Sequence, residues 1–256
     1  MTTKTAAKER PLLYSGPMVK ATLRVENPKT QTRRLRGLDE INAAPDYWKF
    51  LQFVFNKKNE MCAVFVGKKG EDKIVKCPYG QPGDRLWVRE TFTLENGGNE
   101  YTLEVPKDGT PFHTIKLSDG EGGDYDAIEV PHYRATEPDA AIYPWACMDG
   151  DCGHENEDDC HRTRWTPAIH MPRWASRIDL EIVKVRVERL QDISEADAKA
   201  EGAENAIEPM EGDFVDPPVV RGHRIGFKLL WKSINGDASW KANPWVWVLE
   251  FKRIRP

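Results

Sequence analysis

The chain has 256 residues, of which 39% are hydrophobic and 30% charged, a composition typical of globular proteins with one large domain or two small ones. Its net charge of −4 argues against nonspecific coating of nucleic acid, which needs a broad basic surface. No segment is long and apolar enough to span a bilayer, and residues 1–10 lack the apolar core of a signal peptide. We therefore expect a cytoplasmic protein with no membrane partner, whose cysteines are thiols or metal ligands.

The chain up to residue 94 predicts both helices and strands. Ser15 and Pro17 indicate a helix start, because Ser can cap free N–H groups and Pro fits the first helical turn. Asn27-Pro28 ends this helix, since the residue before a Pro disfavours the α conformation. The other segments follow from apolar patterns and turn residues. They are a disordered tail over 1–10, strands over 11–14 and 85–94, a helix over 38–56, and a hairpin of strands 61–66 and 73–77.

The middle of the chain, from about residue 95 to residue 164, is rich in Gly, Asp, Glu and Pro. This composition is typical of irregular structure, so we expect a long insertion within a single domain that spans residues 11–256. The mixture of separated strands with a few helices predicts the α+β class, with a mostly antiparallel or mixed sheet.

The C-terminal part has clearer periodicity. Residues 178–190 alternate apolar and polar side chains as a half-buried strand does, and one slip near Val183 indicates a β-bulge. Ser194 is predicted to cap a short helix that runs to Glu201, with Asp197 in the acidic position of a capping box. The remaining segments are a loop over 205–221, an amphipathic helix over 225–234 and a strand over 245–254.

A basic run, Lys29-Thr30-Gln31-Thr32-Arg33-Arg34, follows the first helix. On an extended strand, successive side chains point to opposite faces, which separates Lys29, Gln31 and Arg33 from Thr32 and Arg34. In a loop, Lys29 and Thr32 could instead converge. Guanidinium and ammonium groups in such a run suit recognition of phosphate or carboxylate. The alternative interpretation is a solvated basic loop, which is what most charge runs are.

A second candidate segment, residues 165–177, interleaves aromatic, imidazole and guanidinium side chains. Grooves that bind bases or single strands need this mixture. The alternative is a segment that crosses the core and packs its rings before the next strand. Candidate ligand-binding residues in this segment and in the strand over 85–94 are Trp87, Glu90, His170, Trp174, Ser176 and Arg177.

A third cluster, Cys147, Cys152, Cys160 and His161, contains enough ligands for a tetrahedral zinc ion. The spacing matches no standard zinc knuckle, and adjacent residues such as Cys160 and His161 cannot easily bind one ion together. The alternative is an irregular acidic loop without metal. A zinc ion here would be structural, and we expect no cofactor to be required for catalysis.

The basic run over 29–34 resembles the short Gly-x-Lys-x-x-x-Arg-type motif of the ASCH superfamily, although Asn27-Pro28 stands where the glycine is usual. Three further segments resemble that family in the same order along the chain. They are Gln81–Val88 (turn and strand), Ile178–Gly202 (strand and short helix) and Asn243–Phe251 (closing strand). Including the segment over 165–177, the pattern is similar to ASCH proteins carried by phages and prophages. The resemblance leaves residues 95–164 unexplained.

The resemblance implies a PUA-like β-barrel with flanking helices and a cleft for a nucleobase or nucleic acid. The N4-acetylcytidine amidohydrolases of this superfamily use a Lys, a Thr and a Glu, which correspond by position to Lys29, Thr32 and Glu201. A Thr hydroxyl or a water would attack the amide, Glu201 would act as base, and Lys29 would move protons or stabilise charge. The implied ligand-binding residues beside them are Gln31, Arg33 and Arg34.

Three functions stay open on this evidence. The first is an amidohydrolase for N4-acylated cytosine nucleosides or bases; the second is a non-catalytic PUA-like reader of RNA, single-stranded DNA or modified DNA; the third is an ASCH-type ribonuclease. Glu201 could also be merely an exposed acid at the end of a surface helix. Convergence of Lys29, Thr32 and Glu201 in one pocket would favour the enzyme, whereas a long groove lined by Arg and Trp would favour the reader. The sequence does not specify an oligomeric state.

Overall fold

A computed structural model describes residues 7–96, 105–106, 109–118, 124–138, 165–209 and 219–254. Within these residues the chain is mostly strands with a few short helices, which confirms the predicted α+β class. The strands are β1 (Glu9–Leu13), β2 (Gln31–Arg34), β3 (Trp48–Phe55), β4 (Met61–Gly67), β5 (Asp72–Lys76), β6 (Arg85–Arg89), β7 (Phe92–Asn96), β8 (His113–Ser118), β9 (Asp124–Tyr133), β10 (Asp179–Arg189), β11 (Ala206–Pro209), β12 (Val219–Gly222) and β13 (Trp245–Arg253). The α-helices are α1 (Gly16–Leu23), α2 (Asp39–Asn42), α3 (Glu195–Ala200), α4 (His223–Asn235) and α5 (Asp237–Lys241).

The central sheet has five strands in the order β1-β6-β10-β13-β2. Strand β1 runs parallel to β6, and the other neighbours are antiparallel. The other described strands form three smaller sheets, β3-β4-β5, β7-β9-β8 and β11-β12. Because the central sheet ends at β1 and β2, the described strands do not close into a barrel.

The two faces of the central sheet belong to different apolar clusters. Along β13, Trp247 and Leu249 pack into the main core together with side chains of β4, β6 and β10. The intervening residues Val246 and Val248 pack on the opposite face, against Phe227 of α4. This division follows from the alternation of side chains along a strand. Residues of both clusters line the candidate site, which includes Arg33 and Arg34 of the edge strand β2.

Several local predictions are confirmed. The register of β10 against β13 shifts between Ile182 and Lys184, which is the predicted bulge near Val183. The backbone N–H of Asp197 donates to the Ser194 hydroxyl at 3.0 Å, which is the predicted helix cap. The predicted helix over 225–234 and strand over 245–254 correspond to α4 and β13, and the hairpin prediction corresponds to β4 and β5.

The predicted helix over 38–56 is wrong. Only Asp39–Asn42 is α-helical, and Trp48–Phe55 is strand β3, which pairs antiparallel with β4. Pro45 lies inside the predicted helix and cannot donate the backbone hydrogen bond that a helix interior needs. The aromatic side chains beyond it suit a pleated surface, and β4 provides the hydrogen-bonding partner.

Three other boundaries also differ from the predictions. The predicted strand over 85–94 is interrupted after Arg89, and its two parts belong to different sheets. The predicted loop over 205–221 contains strands β11 and β12, which pair with each other. Strand β1 begins at Glu9, inside the segment predicted as a tail. Across the described ranges, no helix has the length and apolar character needed to cross a membrane.

Candidate active site

A cavity of about 580 Å³ lies beside the central sheet, between α1, the end of β2, the residues after α3, and α4. Its size falls in the range of about 300–1,000 Å³ that is typical of small-molecule sites. Its wall is partly apolar, and its charged side chains come from the end of α1, from the chain between Lys29 and Arg36, and from the residues at the end of α3. The main apolar lining residues are Met18, Ala21, Phe227, Leu230 and Trp231.

Lys29 and Glu201 form a buried ion pair that lines this cavity. They are only 3% and 5% exposed. The Lys29 ammonium donates to Oε2 of Glu201 at 2.6 Å and to the Glu201 backbone carbonyl at 2.7 Å. An ammonium has three N–H donors, and the third is not bonded to any described residue. Burial lowers the pKa of Lys29, and the Glu201 carboxylate opposes this effect.

Backbone contacts position this pair. The N–H of Lys29 donates to the carbonyl of Ala21 in α1, and the next N–H in the chain donates to Ala200 in α3, both at 2.8 Å. Glu201 is the C-cap residue of α3, and Gly202 follows with φ of +79°. A Cβ at position 202 would lie 2.8 Å from the Cβ of Ala21. Glycine is therefore required at position 202, where the turn after α3 packs closely against α1 and Lys29.

Arg33 holds Glu201 from the other side. Its side chain is fully buried, and Nη1 donates to Oε1 of Glu201 at 3.1 Å and to Oε1 of Gln31 at 2.7 Å. Its Nη2 forms ion pairs with Glu188 and, at 3.5 Å, with Asp197. Gln31 Nε2 in turn donates to Asp197 Oδ1 at 3.0 Å. Both carboxylate oxygens of Glu201 are thus bound by cationic groups, which fixes its orientation.

Thr32 lies on the other face of the strand. It pairs in register with Leu249 of the main core, whereas Arg33 pairs with Val248 of the opposite face. Thr32 is 0% exposed, and its hydroxyl has no hydrogen-bond partner among the described residues. Side-chain alternation along β2 therefore places Thr32 and Arg33 on opposite faces of the strand, and no hydrogen bond joins Thr32 to Lys29. The structure brings Lys29 and Glu201 together and leaves Thr32 unbonded to either.

The segment over 165–177 contributes to a different region, and none of its residues lines the cavity. Glu90, at the end of β6, is buried and accepts from Nε and Nη2 of Arg177, both at 2.9 Å. The Arg177 guanidinium lies 3.9 Å from the ring centre of Tyr133. Burial raises the pKa of Glu90, and Arg177 opposes the rise. The Ser176 hydroxyl donates to the carbonyl of Val88 at 2.9 Å, which ties the segment to β6.

The aromatic candidates of this region are dispersed. Trp87 is buried, with the guanidinium of Arg89 4.6 Å from its ring centre. Trp174 stacks on His113 with ring centres 5.1 Å apart. His170 is exposed at the end of a short 3-10 turn. These positions match the alternative interpretation of a packing segment better than one continuous base-binding groove.

The predicted zinc ligands lie in a part of the chain that the structure does not describe. Cys147, Cys152, Cys160 and His161 all lie outside the described residues. Among the residues that are described, no group of three or more His, Cys, Asp or Glu could hold a metal ion. Cys62 and Cys77 are buried free thiols.

Sequence reasoning missed most of the cavity wall. Phe227 and Trp231 had a signal, the apolar face of an amphipathic helix, but that pattern equally predicts an ordinary core face. Tyr79 and Arg36 line the cavity as well, and their local sequence contains no sign that they would approach α4. Comparison of the chain with protein-family models, curated proteins and solved structures gave no significant match.

Proposed function

We propose that the protein is an amidohydrolase that removes an acyl group from N4 of a modified cytosine nucleoside or base. One observation carries this proposal, the buried Lys29–Glu201 pair in the lining of a cavity of small-molecule size. Moving a charged group from water into the protein interior costs on the order of several kcal/mol per ion. Titratable groups with perturbed pKa values in a cavity are candidates for acid–base chemistry.

An ASCH-type fold with PUA-like architecture is part of the same proposal. It is supported by the way three segments that resemble the family meet in space. The basic run forms β2, the closing strand β13 pairs directly with it, and the end of α3 supplies Glu201. Lys29 and Glu201 are 172 positions apart in the chain and share a hydrogen bond.

The proposed reaction uses a water molecule as nucleophile, because the Thr32 hydroxyl lies on the opposite face of β2. The Glu201 carboxylate accepts a proton from the water, whose oxygen attacks the acyl carbonyl. The free N–H of Lys29 donates to the oxyanion that forms on the carbonyl oxygen. The C–N4 bond then breaks, the pair returns a proton to N4, and the products are the cytosine amine and a carboxylic acid.

Arg33 and Gln31 have a positioning role in this scheme. Within the described residues, each hydrogen bond of the Arg33 guanidinium goes to another side chain, and the guanidinium lies 5.6 Å from the Phe227 ring centre. It therefore orients Glu201. The aromatic and aliphatic side chains of α4 and α1 provide an apolar wall against which a planar base can pack.

Hydrolysis of N4-acetylcytidine and of longer N4-acyl cytidines, followed by absorbance, tests this function. We expect turnover by the wild type and a loss of at least about 100-fold in kcat/KM for Glu201→Gln and for Lys29→Met, since acid–base groups contribute about 10²–10⁴-fold. The matched control is Glu204→Gln, which makes the same chemical change at the cavity rim in an exposed ion pair with Arg24.

Breaking a buried pair can also unfold the protein, so thermal unfolding is measured for each variant. The double variant Lys29→Met, Glu201→Gln removes both charges and is expected to be less destabilised than either single variant while remaining inactive. Absence of turnover by a folded wild type on all these substrates would rule out an amidohydrolase that acts on N4-acyl nucleosides.

A non-catalytic reader of RNA or modified DNA is the second candidate. The observation that favours it is Arg34, which lines the same cavity and makes no ion pair with any described residue. A reader would bind modified cytosine nucleosides or oligonucleotides in this cavity without consuming them, and Glu201→Gln would change affinity only.

A further inference from the structure

The charges that line the cavity are not balanced. Five basic side chains face two carboxylates, Glu201 and Glu204. Glu201 is bound by Lys29 and Arg33, and Glu204 pairs with Arg24 at 2.8 Å. The two basic residues left without a carboxylate are Arg34 and Arg36.

Arg34 is held in place by neutral groups only. Its Nη2 donates to the carbonyl of Leu13 at 3.0 Å and contacts the sulfur of Met18 at 3.9 Å. Its guanidinium also lies 5.6 Å from the ring centre of Tyr14, and its Nε has no hydrogen-bond partner in the part of the chain that the structure describes. These contacts fix the position of the guanidinium, and no carboxylate of a described residue forms an ion pair with it.

Arg36 is exposed and makes no hydrogen bond or ion pair with a described residue. Both Arg34 and Arg36 act electrostatically on the Tyr79 hydroxyl, where they oppose the rise in pKa to about 12 that burial causes. Tyr79 lines the same cavity. Two guanidiniums and a phenol thus line the same cavity, and such groups can donate several hydrogen bonds to an anion.

We infer that Arg34 and Arg36 form a phosphate subsite, so that the ligand of the cavity is a nucleotide rather than an uncharged nucleoside. This inference rests on the proposed function, since the Lys29–Glu201 end of the same cavity would receive the base. A volume of about 580 Å³ has room for both parts of a nucleotide. The phosphate can belong to a free mononucleotide or to the end of a strand.

Binding measurements with unacylated ligands test the subsite without requiring catalysis. Calorimetry compares cytidine with its 5′- and 3′-monophosphates, for the wild type and for Arg36→Gln and Arg34→Gln. At least one monophosphate is expected to bind about 10-fold or more tightly than cytidine, because hydrogen bonds to charged groups contribute about 1.5–3 kcal/mol. Each Arg variant is expected to lose most of that preference while its affinity for cytidine stays the same.

Arg253→Gln is the matched control, since Arg253 is exposed on β13 and does not line the cavity. Equal affinity of cytidine and both monophosphates for the folded wild type would overturn the subsite. Arg36-dependent binding of a monophosphate without hydrolysis of any N4-acyl substrate would support the subsite and contradict the amidohydrolase. A 5′-phosphorylated trinucleotide that binds more tightly than the mononucleotide would support the subsite and identify a strand end as its source.

Discussion

Two buried ion pairs, Lys29–Glu201 and Arg177–Glu90, join similar charges in different surroundings. The first pair lines a cavity, and one ammonium N–H is not bonded to any described residue. The second pair forms two parallel hydrogen bonds and is covered by the ring of Tyr133. Similar charges therefore have different surroundings: the first pair lines the cavity, whereas the second, whose Arg177 side chain is 21% exposed, packs against Tyr133.

Among the variants that test this comparison, Glu90→Gln is expected to have the largest effect on the free energy of unfolding. Removing one partner of a buried pair leaves the other charge uncompensated, so we expect a loss of about 3–5 kcal/mol in the free energy of unfolding. The activity per folded molecule should stay at the wild-type level, in contrast to Glu201→Gln. Urea unfolding and the hydrolysis assay measure the two quantities. Loss of activity in a folded Glu90→Gln variant would remove the functional distinction between the pairs.

The pH dependence of stability should differ in sign between the two pairs. Burial lowers the pKa of Lys29 below its ordinary 10.5, so the unfolded chain binds more protons between the two values and stability rises with pH there. Burial raises the pKa of Glu90 above its ordinary 4.5, so the folded chain binds more protons and stability falls as pH rises through that interval.

Urea unfolding across the two pH intervals checks these slopes, with each variant subtracted from the wild type. The rise with pH on the alkaline side should disappear in Lys29→Met, and the fall on the acidic side should disappear in Glu90→Gln. An unchanged slope in either variant would mean that another group titrates in that interval.

The smallest effect is expected from Thr32→Val, which tests whether Thr32 belongs to the site at all. Its buried hydroxyl has no hydrogen-bond partner, so replacement by a methyl group should raise the free energy of unfolding by about 1 kcal/mol. Hydrolysis should be unaffected. A large loss of kcat with normal stability would instead return Thr32 to the catalytic group that the family resemblance implies.

Local patterns predicted those elements whose residues are close in sequence. The cap of α3 needs only Ser194 and Asp197, three positions apart. The bulge in β10 was evident from the interrupted alternation near Val183. The helix predicted over 38–56 failed because its aromatic residues satisfy either pattern, and the choice depended on pairing with β4.

The sequence by itself determined the α+β class, strands β10 and β13, the cap of α3, and the residue types needed for acid–base chemistry. The tertiary structure alone decided which of these residues meet. Lys29 pairs with Glu201, Thr32 lies on the face of β2 opposite Arg33, and residues of α4 form part of the cavity wall. The physical reason is that a turn or a cap is fixed by neighbouring backbone groups, whereas a cavity depends on how distant elements pack together.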